Sequence, residues 1–297
     1  MFKQSLWALA AAFLFSLMAA FVKLCSAELG SLELVFYRSL FGVITIGFFV
    51  WKNGLSLKTP HLSGHLKRSV LGTLSIALWF YTLGLLPFGT NMTLIYTTPL
   101  FMAANFWILA VIRRERAPWA LIGSIIVGFA GITIVLQPSF ESDELIPALL
   151  CLSVSLVDLA VYWQMKELGR LQEPSWRIVF YFTLCGTLFG LIGAFALEGG
   201  MHLPSRNALL GIIGMGICAT LGQIATTRSY AYGNMLLSSC LGFSAIPISA
   251  ALSFVLFGES VSATALVGMS LIIAAGMTAS ITTKRQEAAQ KARQAAR

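Results

Sequence analysis

An eight-residue stretch of this chain occurs twice, as VFYRSLFG at residues 35–42 and as VFYFTLCG at residues 179–186. The offset of 144 residues recurs elsewhere, and it pairs Gly72 with Gly216, Thr82 with Thr226, Gly89 with Gly233 and Glu115 with Glu259. With one inserted residue, Gly123 and Gly131 pair with Gly268 and Gly276. Two copies of one module therefore make up the chain, over roughly residues 8–136 and 152–281, and any fold must accommodate both.

The composition shows that lipid surrounds this duplicated module. Apolar residues make up 57% of the chain and charged residues 11%, and the mean hydropathy is +0.82, whereas soluble domains are about 45–50% apolar. Predominantly apolar stretches of about 20 residues predict membrane-spanning helices. Ten such stretches occur, at residues 5–27, 34–51, 68–86, 90–112, 118–136, 145–165, 177–197, 207–228, 233–257 and 262–283. We therefore predict an all-α membrane protein.

Each module contains five of the predicted spans. Because five is odd, the second module enters the membrane from the side opposite to the first, which produces the inverted-topology repeat found in many transporters. We predict a first five-helix repeat at residues 1–136, a linker at 137–144, a second repeat at 145–283 and a basic tail at 284–297.

The distribution of basic residues predicts the orientation of the spans. If the N-terminus is cytoplasmic, 17 of the 20 Lys and Arg residues lie on the cytoplasmic side, and the other three are Lys23, Arg38 and Arg206. This positive-inside bias places both termini in the cytoplasm and the linker, with its acidic residues 141–144, in the periplasm. The net charge of +8 and the pI near 9.4 raise the alternative of nucleic-acid binding. We expect contact with anionic lipids instead, because the charges lie at helix ends and form no single basic face.

Cysteine and histidine residues form no pattern of a disulfide or metal site. The five cysteines are scattered through apolar spans, where we expect them to pack as small hydrophobic residues. His61 and His65 are four residues apart, but no third ligand lies near them in sequence. We predict that both belong to a solvated loop at residues 52–67, beside the lipid head groups. The sequence indicates no metal, no cofactor and no catalytic motif of an enzyme.

Asp158 is the strongest candidate for a functional residue. It lies within the sixth predicted span, where an unpaired charge is costly, so an ionisable residue there is a functional candidate by default. Its counterpart in the first repeat is Leu14, which means that the module does not need this charge to fold. Helical spacing places Ser155 and Tyr162 on the same face. The carboxylate either binds a substrate ammonium, takes up a coupling proton or forms a packing hydrogen bond to a neighbouring helix.

Trp79 and Gln223 are the second candidates, because they are equivalent under the repeat offset. Equivalent residues near the pseudo-twofold axis of an inverted repeat can face each other at the bilayer midplane, where such transporters bind substrate. Tyr81 follows Trp79 by two residues. An aromatic ring and an amide suit a flat or cationic metabolite, and the alternative is that both side chains serve helix packing.

Weaker candidates for substrate contact are the other polar or aromatic residues within spans, namely Tyr96, Asn105, Trp163, Gln164 and Ser244. Pro99 and Pro247 lie inside the fourth and ninth spans. The 144 offset does not align them, so each half is expected to have its own helix break, which acts as a hinge or frees a carbonyl for a ligand.

Two basic residues lie on the predicted outer side of the membrane. Lys23 is near the end of the first span, and we expect its long side chain to reach the interface. Arg38 begins the second span. It either anchors that helix end, pairs with Glu33 or Glu28, or lines an outer vestibule as a substrate contact.

These residues resemble those of the drug/metabolite transporter superfamily, specifically its EamA-type ten-helix members. The shared motifs comprise FYR at 36–38, TPLF at 98–101, Glu115-Arg116, Gly123 and Gly131, with Pro247, Gly258-Glu259, Gly268 and Gly276 in the second half. The resemblance implies a multi-pass protein of the inner membrane with a central cavity that opens alternately to each side. The first, third, fourth, sixth, eighth and ninth helices would frame it. Similar proteins carry amino acids, S-adenosylmethionine, riboflavin, sugar phosphates or drugs.

We therefore expect a secondary transporter for a small polar or zwitterionic metabolite, such as an amino acid. An uptake carrier for a bulkier metabolite, such as S-adenosylmethionine or a vitamin, is one alternative, and a channel or lipid-moving protein is another. The expected partners are the substrate, membrane lipids and either a coupling proton or a counter-substrate. We expect no nucleic-acid partner and a monomer or weak dimer.

Overall fold

The computed structural model describes residues 2–112, 119–141, 144–259 and 261–295. Within these ranges all of the regular secondary structure is helical, which confirms the predicted fold class. The helices are α1 (Phe2–Ser5), α2 (Trp7–Cys25), α3 (Ser31–Lys52), α4 (Leu62–Leu85), α5 (Phe88–Ile95), α6 (Thr98–Ile112), α7 (Trp119–Glu141), α8 (Leu145–Arg170), α9 (Ser175–Leu197), α10 (Arg206–Tyr232), α11 (Met235–Gly242), α12 (Ala245–Phe257) and α13 (Ala263–Ala295).

Each predicted span corresponds to one helix or to a pair of shorter helices. Among the described residues, α2, α3, α4, α8, α9 and α10 are long and apolar enough to cross a membrane. The fourth and ninth spans are each divided, into α5 with α6 and into α11 with α12. Helix α7 continues through Glu141 into the segment assigned to the linker, and α13 continues to Ala295. The arginine-rich segment and Pro118 lie outside the described residues.

The two copies of the repeated stretch pack against each other between α3 and α9. A methyl group added at Gly42 would lie 2.6 Å from Thr183 Cγ2, and one added at Gly186 would lie 2.5 Å from Ser39 Oγ. These contacts are symmetric, because both the glycines and the hydroxyl residues are equivalent in the repeat. Residue numbers rise along α3 as they fall along α9, so the helices are antiparallel. This geometry fits an inverted repeat whose pseudo-twofold axis passes between α3 and α9.

The two broken spans are paired features of the fold. Pro99 is the second residue of α6, and Pro247 is the third residue of α12. A helix accepts proline in its first turn, where the missing amide would have no carbonyl partner. Each half therefore has its own helix break, as the sequence predicts, and a proline lies in the first turn after each break.

Helix α8 holds the break between α5 and α6 together. Ser155 Oγ donates to the carbonyl oxygens of Leu94 at 2.9 Å and Ile95 at 3.1 Å, and it accepts from Thr97 Oγ1 at 3.1 Å. These carbonyl oxygens also accept from the hydroxyl groups of Thr97 and Thr98, so protein groups satisfy them at the break, as lipid requires. Ser155 thus connects α8 to the break between α5 and α6 by hydrogen bonds.

Helices α7 and α13 approach closely at one glycine contact. A methyl group added at Gly131 would lie 2.9 Å from the carbonyl oxygen of Gly268. Small residues allow such close approach in lipid. Gly123 of α7 makes no such close contact, since an added methyl group there would meet nothing within 4 Å among the described residues.

Loops 53–61 and 171–174 meet at one end of the bundle, which we call the basic end. Glu173 connects them, since it accepts hydrogen bonds from the Thr59 hydroxyl and from Arg177 Nη1 at 2.9 Å. Its side chain is only 3% exposed. Burial acts to raise the pKa of Glu173, but the hydrogen bonds that it accepts outweigh burial and hold the pKa below the ordinary value.

His65 takes part in the same contact, which corrects the prediction of a solvated loop. Helix α4 begins at Leu62, so His65 lies in its first turn and is fully buried. Its Nε2 atom is 3.3 Å from Glu173 Oε2, and its ring lies 4.8 Å from that of Tyr181. The histidine packs between the two loops instead of lying beside lipid head groups.

The opposite end of the bundle, which we call the linker end, is packed with apolar side chains. Those that are fully buried there include Val22, Leu34, Leu83, Leu86, Phe88 and Met92. Lys23 Nζ donates to the carbonyl oxygen of Leu86 at 2.5 Å, so this lysine binds a helix end within the protein. Side chains fill this half of the bundle, and the polar space lies in the other half.

Candidate functional site

A central cavity lies between the two repeats, in the half of the bundle nearer the basic end. Water centres can occupy about 90 Å³ of it, several times the roughly 10–15 Å³ that one buried water needs. Helices α2, α4, α8 and α10 supply most of its wall, with contributions from α5, α9 and α11. The lining residues include Ala8, Ala11, Phe15, Arg68, Gly72, Ser75, Trp79, Tyr96, Asp158, Tyr162, Met165, Phe182, Gln223, Thr226 and Tyr230.

Asp158 faces this cavity from α8. It is half-buried, and its Oδ1 atom accepts a hydrogen bond from Ser75 Oγ of α4 at 2.5 Å. Asp158 accepts no other hydrogen bond within the described ranges. The carboxylate therefore keeps acceptor capacity that a ligand can use. Because Ser155 lies one turn earlier in α8, the same helix joins the carboxylate to the break in the fourth span.

Aromatic rings form a large part of the cavity wall. Tyr162 and Tyr230 are stacked, with ring centroids 4.0 Å apart and planes 10° from parallel. Phe15 and Trp79 pack edge to face at 6.5 Å. Tyr96 lines the cavity at the break between α5 and α6. This wall can bind a flat or cationic group by stacking and cation–π contact.

Trp79 and Gln223 both line the cavity, from α4 and α10. Trp79 Nε1 donates to Asn91 Oδ1 at 2.9 Å, and Asn91 Nδ2 donates to Thr82 Oγ1 at 3.0 Å. The polar edge of the indole is therefore already used, and its ring is what remains for a ligand. The amide of Gln223 supplies both a donor and an acceptor at the equivalent place in the second repeat.

The structure brings together five of the ten sequence-predicted site residues, namely Asp158, Trp79, Gln223, Tyr162 and Tyr96. Tyr81 is 50% exposed and points away from the cavity, because residues two apart lie on different faces of a helix. Ser244 caps its own break by donating to the Leu241 carbonyl at 2.7 Å. Trp163 packs behind the wall against the cluster that includes Met102, and Asn105 lies along α6, outside the lining.

Arg38 is also absent from the lining, and it is not at a helix end. Helix α3 begins at Ser31, so Arg38 lies two turns inside it and is only 1% exposed. Its guanidinium carbon lies 5.2 Å from the centroid of the Phe182 ring. Glu33, one of its predicted partners, binds the His202 amide and ring instead. The arginine therefore anchors no helix end.

Sequence reasoning missed one charged residue of the cavity, which is Arg68. It was assigned to the cytoplasmic interface because it begins the third predicted span, but α4 starts at Leu62 and buries it. A signal was present in the helical periodicity. Counting back from Trp79 in steps of three and four along α4 leads to the lining residues Ser75, Gly72 and Arg68.

A membrane bundle with an inverted repeat and a polar cavity near its centre is the architecture of many secondary membrane transporters. Residues 3–137 match the EamA-like transporter family. The relatives described next extend this likeness into the second repeat, so the chain is similar to EamA-type members of the drug/metabolite transporter superfamily.

The relatives with established names are transporters of small molecules. The chain is 25% identical over 280 residues to the pseudopaline exporter CntI of Pseudomonas aeruginosa, covering 94% of this chain and 96% of the exporter. It is 24% identical over 279 residues to a riboflavin transporter of Rhizobium johnstonii, covering 92% and 89%. It is 26% identical over 171 residues to an S-adenosylmethionine uptake transporter of Rickettsia prowazekii, covering 57% and 56%. All three of these relatives are named as transporters, and none is named as an enzyme.

The fold is that of a solved crystal structure. The two chains superpose with a TM-score of 0.70 at 18% sequence identity, over 94% of this chain and 97% of the other. At this identity the likeness establishes the fold alone.

Proposed function

We propose that this transporter moves a small zwitterionic metabolite, such as an amino acid or a related compound, across the inner membrane by alternating access. The observation that carries the proposal is Asp158, a half-buried carboxylate within a membrane-spanning helix that faces a cavity. Ionisable residues at such depth mark substrate or ion paths. A carboxylate among the aromatic rings of Tyr162, Tyr230 and Trp79 is well suited to an ammonium group.

Asp158 binds the substrate ammonium in this proposal. Ser75 Oγ holds one carboxylate oxygen in place, and the other is left for the ligand. The alternative role for the same carboxylate is to take up a coupling proton. The two roles can be distinguished by measuring proton movement. If Asp158 takes up a coupling proton, substrate transport is accompanied by proton movement, whereas an ammonium-binding site does not require protons to move.

Alternating access is supported by the uneven packing of the bundle. The cavity lies toward the basic end, while apolar side chains fill the linker end. With the N-terminus cytoplasmic, as the positive-inside bias predicts, the cavity lies on the cytoplasmic side of the packed half. The paired breaks at Pro99 and Pro247 supply hinges at which each half can rearrange.

A bulkier metabolite is the second candidate substrate. The observation that favours it is the aromatic wall, which includes five rings at Phe15, Trp79, Tyr96, Tyr162 and Tyr230. Such a wall suits a ring system, and two relatives are named for riboflavin and S-adenosylmethionine. Both candidates use the same cavity, so the same variants test them.

Asp158→Asn tests the proposal, because it removes the charge while it keeps the shape of the side chain. We expect counterflow of labelled amino acids into proteoliposomes to be lost, with expression and the melting temperature retained. Glu167→Gln is the matched control. It removes a carboxylate from the same helix, but Glu167 is exposed and pairs with Arg170 at 3.6 Å on the surface.

Unchanged counterflow in Asp158→Asn would remove this carboxylate from the mechanism. Proton movement, followed with a pH-sensitive dye inside the vesicles, separates ammonium binding from proton coupling. A flux that does not saturate and shows no counterflow would support the channel or lipid-moving class instead.

A further inference from the structure

Arg68 places a buried guanidinium in the cavity wall. Its side chain is 1% exposed, and its Nε and Nη1 atoms have no hydrogen-bond partner within the described part of the chain. A buried charge without a partner costs several kcal/mol. An unpartnered polar group of this kind calls for a specific explanation, such as a ligand that completes it.

Two contacts hold the guanidinium at the cavity. Its carbon atom lies 3.9 Å from the centroid of the Phe182 ring, which is close enough for a cation–π contact. Gly72, one turn later in α4, provides the space, since a methyl group there would lie 2.6 Å from Arg68 Nη1. The arginine therefore lies along the wall and does not extend toward the head groups.

Asp158 attracts Arg68 electrostatically, yet the two do not form an ion pair. Asp158 accepts its hydrogen bond from Ser75 on α4, the helix that also carries Arg68. Among the described residues, the ion pairs within 4.0 Å do not include Arg68 or Asp158. The cavity wall thus presents one cationic and one anionic group, and both keep hydrogen-bonding capacity.

Arg38 increases the positive potential beside Arg68. Its guanidinium is as deeply buried, it contacts the same Phe182 ring at 5.2 Å, and its Nε and Nη1 atoms are likewise unpartnered in the described ranges. Arg68 in the cavity wall thus has a second guanidinium group behind it, outside the lining. The balance of charge favours a ligand that brings a negative group to this side of the cavity.

We propose that Arg68 is the carboxylate-binding residue of the substrate site, so that the transported metabolite spans from Arg68 by its carboxylate to Asp158 by its ammonium. The assignment of Arg68 rests on the proposed function, and it adds a binding residue for the carboxylate of the zwitterionic substrate. A guanidinium suits this role, because its fork of N–H donors matches the two oxygens of a carboxylate.

Sets of matched compounds test this assignment with the purified protein and with proteoliposomes. L-leucine, L-phenylalanine and L-tryptophan are each compared with the corresponding amide, which lacks the carboxylate, and with the corresponding deaminated acid. In wild type we expect at least one amino acid to raise the melting temperature and to be transported, with its amide about tenfold weaker, which corresponds to about 1.4 kcal/mol.

Arg68→Gln should weaken binding of that amino acid to the level of its amide, and it should leave the amide unchanged. Arg68→Lys should recover part of the difference, since it restores the charge without the fork. Lys67→Gln is the control, because it removes a positive charge from the neighbouring, exposed position of α4. We expect Lys67→Gln to bind all compounds as wild type does.

A merely structural role for Arg68 would lower the melting temperature of Arg68→Gln and weaken the amino acid and its amide equally. That result, or equal binding of the two compounds to wild type, would overturn the assignment while the proposed function stands. If none of the compounds binds or is transported by wild type, the proposed function is contradicted, and the carboxylate subsite falls with it.

Discussion

The position of Arg68 depends on the absence of a side chain at Gly72. We expect Gly72→Ala to displace the guanidinium, because the added methyl group would lie 2.6 Å from Nη1 and 3.1 Å from the Phe182 ring. Misplacement of a binding group by about 1 Å can reduce activity by up to 100-fold, so transport should fall by about tenfold or more. The melting temperature should change little, since the end of a flexible side chain can move aside.

Gly64→Ala is the control for this variant. It adds a methyl group to the same helix, 3.1 Å from Leu168 Cδ2 and away from the cavity. Transport by Gly72→Ala at the level of Gly64→Ala would contradict the placement of Arg68 as a substrate contact.

Comparison of the repeats identified cavity residues that single positions did not. Trp79 and Gln223 differ in chemistry at equivalent places, and Asp158 replaces Leu14, so all three were predicted from sequence as sites of specialisation. Arg68 was missed because an arginine near a helix end has a side chain long enough to reach either the interface or the interior. Its direction depends on Phe182, which is distant in sequence.

At the scale of helices, Ser155 links the cavity to the break in the fourth span. We expect Ser155→Ala to destabilise the protein by about 0.5–1.5 kcal/mol, because the carbonyls of Leu94 and Ile95 lose this donor and keep only those of Thr97 and Thr98. The measurement is thermal unfolding in detergent. Ser153→Ala is the control, since Ser153 donates only to the Leu150 carbonyl of its own helix. Equal melting temperatures for the two variants would contradict this role.

A second prediction at the scale of helices concerns the packing of α3 against α9. Gly190→Ala places a methyl group 2.6 Å from the backbone nitrogen of Phe36, and a backbone atom cannot move aside as a side chain can. Overpacking of this kind costs about 1–3 kcal/mol. Gly123→Ala, where the added methyl group meets nothing within 4 Å among the described residues, should be neutral or stabilising. The order of the two melting temperatures checks the prediction.

The sequence predicted which stretches form membrane-spanning helices, but it did not predict where each helix begins and ends. Long apolar stretches mark the spans because lipid permits little else. The start of α4 at Leu62 was not evident, since loop 52–67 contains polar residues that look solvated. The burial of His65 depends on Glu173, which lies in a different repeat. That both prolines follow a break was not evident from the repeat, because Pro99 is the second residue of α6 and Pro247 the third residue of α12.

At the scale of the whole molecule, Glu173 couples the two halves at the basic end in a pH-dependent way. Its folded pKa lies below the ordinary glutamate value of 4.5, so the carboxylate stabilises the contact fully above that pH. The stabilisation is lost as the pH falls through the lower folded pKa, because protonation removes the charge that strengthens the hydrogen bonds from Thr59 and Arg177.

Hydrogen exchange of residues 53–61, corrected for its intrinsic pH dependence, measures this effect. We expect protection of the loop to fall below pH 4.5 in wild type, and to be low and independent of pH in Glu173→Gln. Glu167→Gln should follow the wild-type profile, since that carboxylate is exposed. A Glu173→Gln profile that matches wild type would show that another group governs the contact.

The contact of Arg38 with Phe182 shows why the two halves benefit from being one chain. These residues are equivalent in the repeat, and they meet beside the pseudo-twofold axis, 5.2 Å apart. If the transporter were a pair of identical five-helix subunits, the same place would hold either two guanidinium groups, which repel, or two phenyl rings, which carry no charge. The fused chain can place a cation on one side of the axis and a ring on the other, which identical subunits cannot do. Covalent linkage of the halves thus makes available an asymmetric pair, and with it the charged flank beside Arg68, that no symmetric dimer can form.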